Sequence, residues 1–373
     1  MAMQKSEAIV RELLDLAGVQ VNGTNAWDLQ VHNPGTYDRL LSQGNMGLGE
    51  AYMDGWWDCE AVDQLITRLL RADLDAKVKR DWRTLLHVMR TRLMNMQSPA
   101  KAYEVGERHY DLGNDLYRAM LDRRLNYTCG YWRNAATLDE AQEAKLDLVC
   151  RKIGLHEGMR VLELGCGWGS FAKYAAEKYG AHVLGVTVSK EQVALGMELC
   201  QGLPVELRLQ DYREVDGQYD AVISIGIMEH VGYKNYRTYM NVVNRCLKPD
   251  GIAFVHTIGS NETSTGGDTW FDKYIFPNGM LPSVAQLGAA MEKSFIMEDW
   301  HNFGPHYDKT LMAWHANFEK AWPDLRPKYD ERFYRMWRYY LLACAGGFRA
   351  RTIQLWQIVM SRWHCPQPDC RAS

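Results

Sequence analysis

The chain reads as an α/β protein, a doubly wound and mostly parallel sheet preceded by a smaller helical region. Three observations carry this. From about residue 150, short apolar strands alternate with helices, a rhythm that builds a parallel sheet covered on both faces. The first hundred residues instead place apolar side chains at helical spacing, with Gly and Pro as interruptions. Hydrophobic residues make up 47% of 373 positions against 24% charged, enough apolar surface for a packed core and too much for a disordered chain.

Residues 7–16 are apolar at helical spacing and stop at Gly18, and 37–41 and 62–70 repeat the pattern. Between them Gly44, Gly47, Gly49 and Gly55 punctuate an aromatic stretch that reads as a turn region ending in Trp56 and Trp57. Over 76–96, Val78, Trp82, Leu85, Met89, Leu93 and Met96 recur every three or four residues and share one helix face. Between 77 and 101, Lys77, Lys79, Arg80, Arg83, Arg90, Arg92 and Lys101 stand against the single acid Asp81, a local excess of six positive charges. Ser98-Pro99 closes that helix and offers a boundary, with a helical domain over 1–98, a linker over 99–108 and an α/β domain over 109–373. In the last, strands are expected at 160–164, 181–188, 205–210, 220–225 and 252–258, with helices ending at 178 and spanning 190–200 and 235–247. Ligands of such sheets sit at the carboxyl ends of strands, here Gly165, Thr187, Asp211, Gly226 and Ile258.

Composition narrows the function. With 43 basic residues against 46 acidic, no bulk charge calls for nucleic acid. No apolar run approaches the roughly 18–20 residues of a membrane span. The N-terminus carries Lys5, Glu7 and Arg11 instead of an apolar leader, and the nine cysteines are odd in number and scattered. Reduced thiols in a cytoplasmic protein are the expectation. Cys365 and Cys370 with His364 supply too few ligands for a metal, and none is expected. The 13 Trp, 20 Tyr and 18 Met are left to be explained.

The sharpest local signal is Glu163-Leu164-Gly165-Cys166-Gly167-Trp168-Gly169. Three glycines remove side chains where backbone must approach a ligand. The spacing is G-x-G-x-G, not the G-x-G-x-x-G of dinucleotide sites, and the neighbouring acid would repel a pyrophosphate but suits a ligand bearing an ammonium group. The pattern resembles motif I of class I S-adenosylmethionine (SAM) methyltransferases. The wider set narrows the likeness: His109-Tyr110-Asp111-Leu112-Gly113, Tyr127-Thr128-Cys129-Gly130-Tyr131-Trp132, Glu229-His230-Val231-Gly232, His256-Thr257-Ile258-Gly259 and Ala343-Cys344-Ala345-Gly346-Gly347. These resemble the cyclopropane-fatty-acyl-phospholipid synthases, relatives of the mycolic-acid cyclopropane synthases, over nearly the whole chain.

The resemblance implies a seven-stranded class I methyltransferase sheet and transfer of a methylene from SAM to the cis double bond of unsaturated phospholipid acyl chains. It passes through a carbocation that loses a proton to bound bicarbonate. It assigns cofactor contacts to Tyr127, Thr128, Glu163, Gly165, Cys166, Gly167, Trp168, Gly169, Thr187, Gln192, Asp211 and Tyr212. It assigns the reacting centre, with the bicarbonate, to Cys129, Glu229, His256, Ile258 and Tyr307. Cys344 joins the site set, although its small neighbours favour close helix packing over a nucleophile, and no covalent enzyme intermediate is needed. Each has a plainer alternative: packing for Cys129, a satisfied core histidine for His256, a capping acid for Glu229. A homodimer and a peripheral membrane contact complete the expectation, the latter through the basic 76–96 face and the Gly55-Trp56-Trp57 turn.

Overall fold

The computed structural model describes residues 2–72 and 113–372. The basic 77–101 segment, the 99–108 linker and residues 109–112 lie outside the described residues.

The sheet of the second half follows from its side-chain alternation. β3 (Arg160–Leu164), β4 (His182–Thr187), β5 (Val205–Leu209), β6 (Tyr219–Ile225) and β7 (Leu247–Ser260) pair in parallel, and β8 (Ile296–Asn302) runs antiparallel to β9 (Ile353–Ser361). The strand order is β5-β4-β3-β6-β7-β9-β8. Val161, Val183, Ala221, Ile223 and Phe254 enter one core, while Leu162, Leu164, Leu184, Val186 and Val222 enter the other. Successive residues thus point to opposite faces and both faces are apolar, as a sheet covered on both sides requires. The first face is covered by the helices Leu138–Lys152 (α6) and Ser170–Tyr179 (α7), and the second by Tyr236–Cys246 (α10) and Val284–Met291 (α12). α6 starts on a reciprocal cap, Thr137 accepting from the Glu140 N–H and Glu140 from that of Thr137. The expected strands are all present. β7 runs two residues past the expected end at 258, so Ile258 lies within a strand.

The chain divides into two compact units, each described by itself. The sheet unit comprises the described part of 95–265, Asn278–His306 and Gln354–Ser373. The helical unit joins the described part of 1–94 to Gly266–Pro277 and Tyr307–Ile353, which differs from a helical domain confined to 1–98. The reason is aromatic packing. Tyr52, Trp57, Trp270 and Tyr339 form one ring cluster with centroids 4.8–6.4 Å apart, and Arg335 lies over Tyr52 while donating to Asp58 and the Trp57 carbonyl.

The glycine-punctuated stretch is not a turn region. Residues Asn45–Met53 form the helix α3. A Cβ on Gly49 would lie 2.4 Å from the Trp270 indole nitrogen, so this glycine serves helix-to-ring contact. Trp57 is fully buried and donates to the Leu48 carbonyl, which removes it from any lipid-facing surface. Trp56 is half-buried beneath the Arg39 guanidinium. Among the described residues, no helix is long and apolar enough to cross a membrane.

Candidate functional site

One cavity opens at the carboxyl ends of β3, β4, β5 and β6. The loop after β3 builds its floor: the Gly165 and Cys166 N–H groups donate to the Val186 carbonyl, tying the loop to β4. Gly165 has φ +74°, a conformation open to glycine, and a side chain there would meet Ile227 at 3.1 Å. Tyr127, Thr128, Glu163, Gly165, Cys166, Gly167, Trp168, Thr187, Gln192, Asp211 and Tyr212 all line this cavity. Gly169, the twelfth expected contact, does not. It caps α7 with φ +77°, and a Cβ on it would press Leu207 at 2.9 Å, so its role is to seat the helix on β5.

Each wall residue is held. The Thr187 hydroxyl donates to Gln192 Oε1 at 2.7 Å, and Gln192 lies in the first turn of its helix, whose cap is Ser189. Asp211 accepts from the Arg213 N–H at 2.9 Å, opening a single 3-10 turn that presents Tyr212. Glu163 points to the same sheet face as Val161, toward α6. Its Oε2 is buried with no protein partner among the described residues. Burial pushes this carboxyl up to about 8, with the Lys145 ammonium and the Ala172 N–H pulling it back.

Lys145, Asn126, Ser170 and His230 also line the cavity and were not anticipated. Lys145 is buried, and its ammonium donates to Asn126 Oδ1 at 2.9 Å and Thr128 Oγ1 at 3.1 Å. The sequence did carry a signal: Lys145 falls on the same face as Ala141, Leu148 and Val149, a lysine inside an apolar stripe.

The residues expected at the reacting centre divide. Cys129, Glu229, His256 and Ile258 do not line the cavity, yet the first three are each next to a lining residue in the chain or across a strand pair. Cys129 follows Thr128, Glu229 precedes His230, and His256 pairs with Ile225. Cys129 is buried, with its thiol 3.2 Å from the Gly130 carbonyl. Glu229 Oε1 accepts the Ile258 N–H at 2.5 Å, so that backbone donor, expected to serve an ion, is engaged by the carboxyl instead. Burial pushes Glu229 up to about 7, against the pull of that N–H. His256 is buried, and burial holds it well below the ordinary imidazole range. Its Nδ1 lies 3.3 Å from the Gln357 amide nitrogen, while Glu229 Oε2 and His256 Nε2 have no protein partner among the described residues. Tyr307 and Cys344 belong to the helical unit. There Tyr307 stacks on Phe348 at 4.6 Å, and burial raises the Cys344 thiol well above its usual range. Cys370 packs into the core, and the Cys365 thiol lies 2.8 Å from the Pro249 carbonyl.

Comparison with known proteins places these features. The family model for mycolic acid cyclopropane synthetase matches residues 97–358. The chain is 52% identical to the cyclopropane-fatty-acyl-phospholipid synthase of Escherichia coli K12 over 95% of its own length and 93% of that protein's. It is 32% identical to the tuberculostearic acid methyltransferase UfaA1 of Mycobacterium tuberculosis, over 90% of this chain and 83% of the other. Among solved structures, the mycolic acid cyclopropane synthase CmaA1 complexed with SAH and CTAB superposes with a TM-score of 0.65 at 31% identity, covering 70% of this chain and 98% of that one.

Proposed function

The chain belongs to the mycolic acid cyclopropane synthetase family, and from that premise we propose that it converts the cis double bond of unsaturated phospholipid acyl chains into a cyclopropane ring, using SAM. The observation that carries this is the single cavity lined by eleven of the twelve residues the motifs single out. Those residues fit the cofactor. Glu163 keeps a buried, unpartnered oxygen suited to an ammonium group. The Thr187 and Gln192 pair offers polar groups for ribose hydroxyls, and Tyr212 offers a ring beside the adenine. Bound there, SAM supplies an electrophilic methyl group.

The protein's own part is to hold the alkene against that methyl, exclude water from the cation and place a proton acceptor. An alkene needs no activating base, so an apolar, aromatic surrounding is an asset: water reaching the cation would yield an alcohol. For the proton we propose bicarbonate, held by the group of Cys129, Glu229 and His256. Glu229 Oε2 and His256 Nε2 are buried polar atoms with hydrogen-bonding capacity to spare, which suits a small ion with donors and acceptors. A carboxyl titrating near 7 can donate a hydrogen bond to such an ion when protonated. In this reading Ile258 acts through Glu229, by fixing its other oxygen. Cys344 is given no chemical step. We further propose a homodimer that meets the bilayer peripherally through the basic 77–101 segment, where each basic residue near an anionic surface contributes about 1 kcal/mol.

The test is incubation with SAM and vesicles of monounsaturated phospholipid, followed by mass spectrometry of the acyl chains. The expected product gains CH2 and resists hydrogenation as a ring does. A gain of CH4 would mark a saturated methyl branch and would overturn the ring. No modified chain would overturn the proposal.

A further inference from the structure

A fully buried lysine is a costly residue to keep, because desolvating an ammonium takes several kcal/mol unless its hydrogens and charge are both answered. Lys145 is 1% exposed. Two of its three hydrogens go to Asn126 Oδ1 and Thr128 Oγ1. Gln142, one turn earlier on α6, donates to the Thr128 carbonyl at 2.7 Å, so the helix grips Thr128 by its hydroxyl and its backbone together. Asn126 is fixed in turn, donating to both oxygens of buried Asp122 and accepting from Ser170 on α7. Gly226 admits the Thr128 methyl from the other side, where a Cβ would meet it at 2.9 Å. The segment bearing Tyr127, Thr128 and Cys129 is thereby locked against the cavity.

The charge on Lys145 has a second use. Glu163 is the buried acid of the glycine loop, and among the described groups Lys145 is the cation that acts on it. The other titratable groups around Glu163 are the thiols of Cys150, Cys166 and Cys200, all held neutral by burial. Without the lysine, nothing offsets ionisation of that carboxyl but the Ala172 N–H. Burial lowers the Lys145 ammonium itself to about 8, with buried Asp122 foremost among the groups that hold it charged, so the counter-charge fades on the alkaline side of the same range.

We infer that Lys145 is a positioning residue of the cofactor cavity: it fixes Asn126 and Thr128 by hydrogen bonds and supplies a positive charge in the same cavity that favours the ionised form of Glu163, the acid that would hold the amino group of SAM. The inference rests on the reading of the cavity as a SAM site. It assigns a role in cofactor affinity to a residue of α6, a helix that carries none of the glycine-loop or strand-end motifs.

The test is calorimetric titration of S-adenosylhomocysteine, which carries the same amino-acid end, into the full-length protein and into Lys145→Met across pH 6 to 9. Wild type is expected to bind, with affinity falling on the acid side as Glu163 takes up a proton. In Lys145→Met, with an unchanged circular dichroism spectrum, binding should weaken about tenfold or more, and the acid limb should move toward alkaline pH by about one unit. A purely structural role would weaken binding without moving that limb. A folded Lys145→Met with an unmoved limb, whatever its affinity, overturns the inference while leaving the SAM reading intact. Failure of wild type to bind at all overturns both. Should Lys145→Met not fold, Lys145→Gln, which keeps a donor toward Asn126 and Thr128 but carries no charge, reads the same linkage. A limb moved toward alkaline pH supports the inference, and an unmoved limb overturns it.

Discussion

Replacing Glu229 by Gln separates what this carboxyl does for chemistry from what it does to the fold. Glu229 is 9% exposed, and burial raises its pKa from 4.5 to about 7. At 1.36 kcal/mol for each pH unit, ionising it in the folded protein costs about 3 kcal/mol more than in the unfolded chain. The sign follows from the direction. The folded pKa lies above the unfolded one, so the carboxyl's contribution is fully present below about 4.5 and is lost as pH rises through about 7. Glu229→Gln does not titrate, so it should gain on wild type over that window and level off above it. The glutamine still offers an oxygen to the Ile258 N–H, at a loss of about 1 kcal/mol for the weaker neutral bond, and that loss is the same at every pH. Urea midpoints of the two proteins at about pH 5 and pH 8 read the difference, expected to change by about 2–3 kcal/mol in favour of the variant. Turnover with SAM and unsaturated vesicles should fall by about a hundredfold or more at both pH values if Glu229 holds the proposed ion, since a neutral amide would then replace a proton-sharing group. A stability difference that does not change with pH would refute the burial argument. Undiminished turnover would reduce Glu229 to a capping acid.

Two further outcomes follow from particular contacts. Gly49→Ala places a methyl against the Trp270 indole and should lower the stability of the helical unit by about 1–3 kcal/mol, read from tryptophan fluorescence in urea; an unchanged midpoint would mean the ring moves freely. The triple variant Arg80→Glu, Arg83→Glu and Arg90→Glu should co-sediment with anionic vesicles at least about a hundredfold more weakly than wild type, and with zwitterionic vesicles alike. Equal binding to anionic vesicles would sink the basic segment as the membrane contact.

Most of the sheet unit was legible because its signals are local. Period-two apolar strands, capped helices and a glycine loop between a strand and a helix are each written within about ten residues, and β3, from Arg160 to Leu164, falls where the sequence put it. The strand-end rule then gathered Gly165, Thr187, Asp211 and Gly226 at one cavity, although they are spread over some sixty residues. The helical region was less legible. Gly47 and Gly49 look like turn residues because glycine permits turns, but their use is close approach to Arg39 and Trp270, and a partner more than 200 residues away leaves no mark in a local window. The same holds for Lys145, which in one dimension is an ordinary helix lysine.

The sequence by itself therefore determined the fold class, the glycine loop that lines the cavity and the family to which the chain belongs, because each depends on spacing and residue type along the chain. Tertiary structure alone decided which side chains are buried together. It turned Trp57 from a candidate membrane contact into core, engaged the Ile258 N–H with the Glu229 carboxyl, and set Lys145 behind Thr128 in the cavity that Glu163 also lines. The physical reason is desolvation: burial decides whether a charge needs a partner, and it becomes known only when the chain has folded.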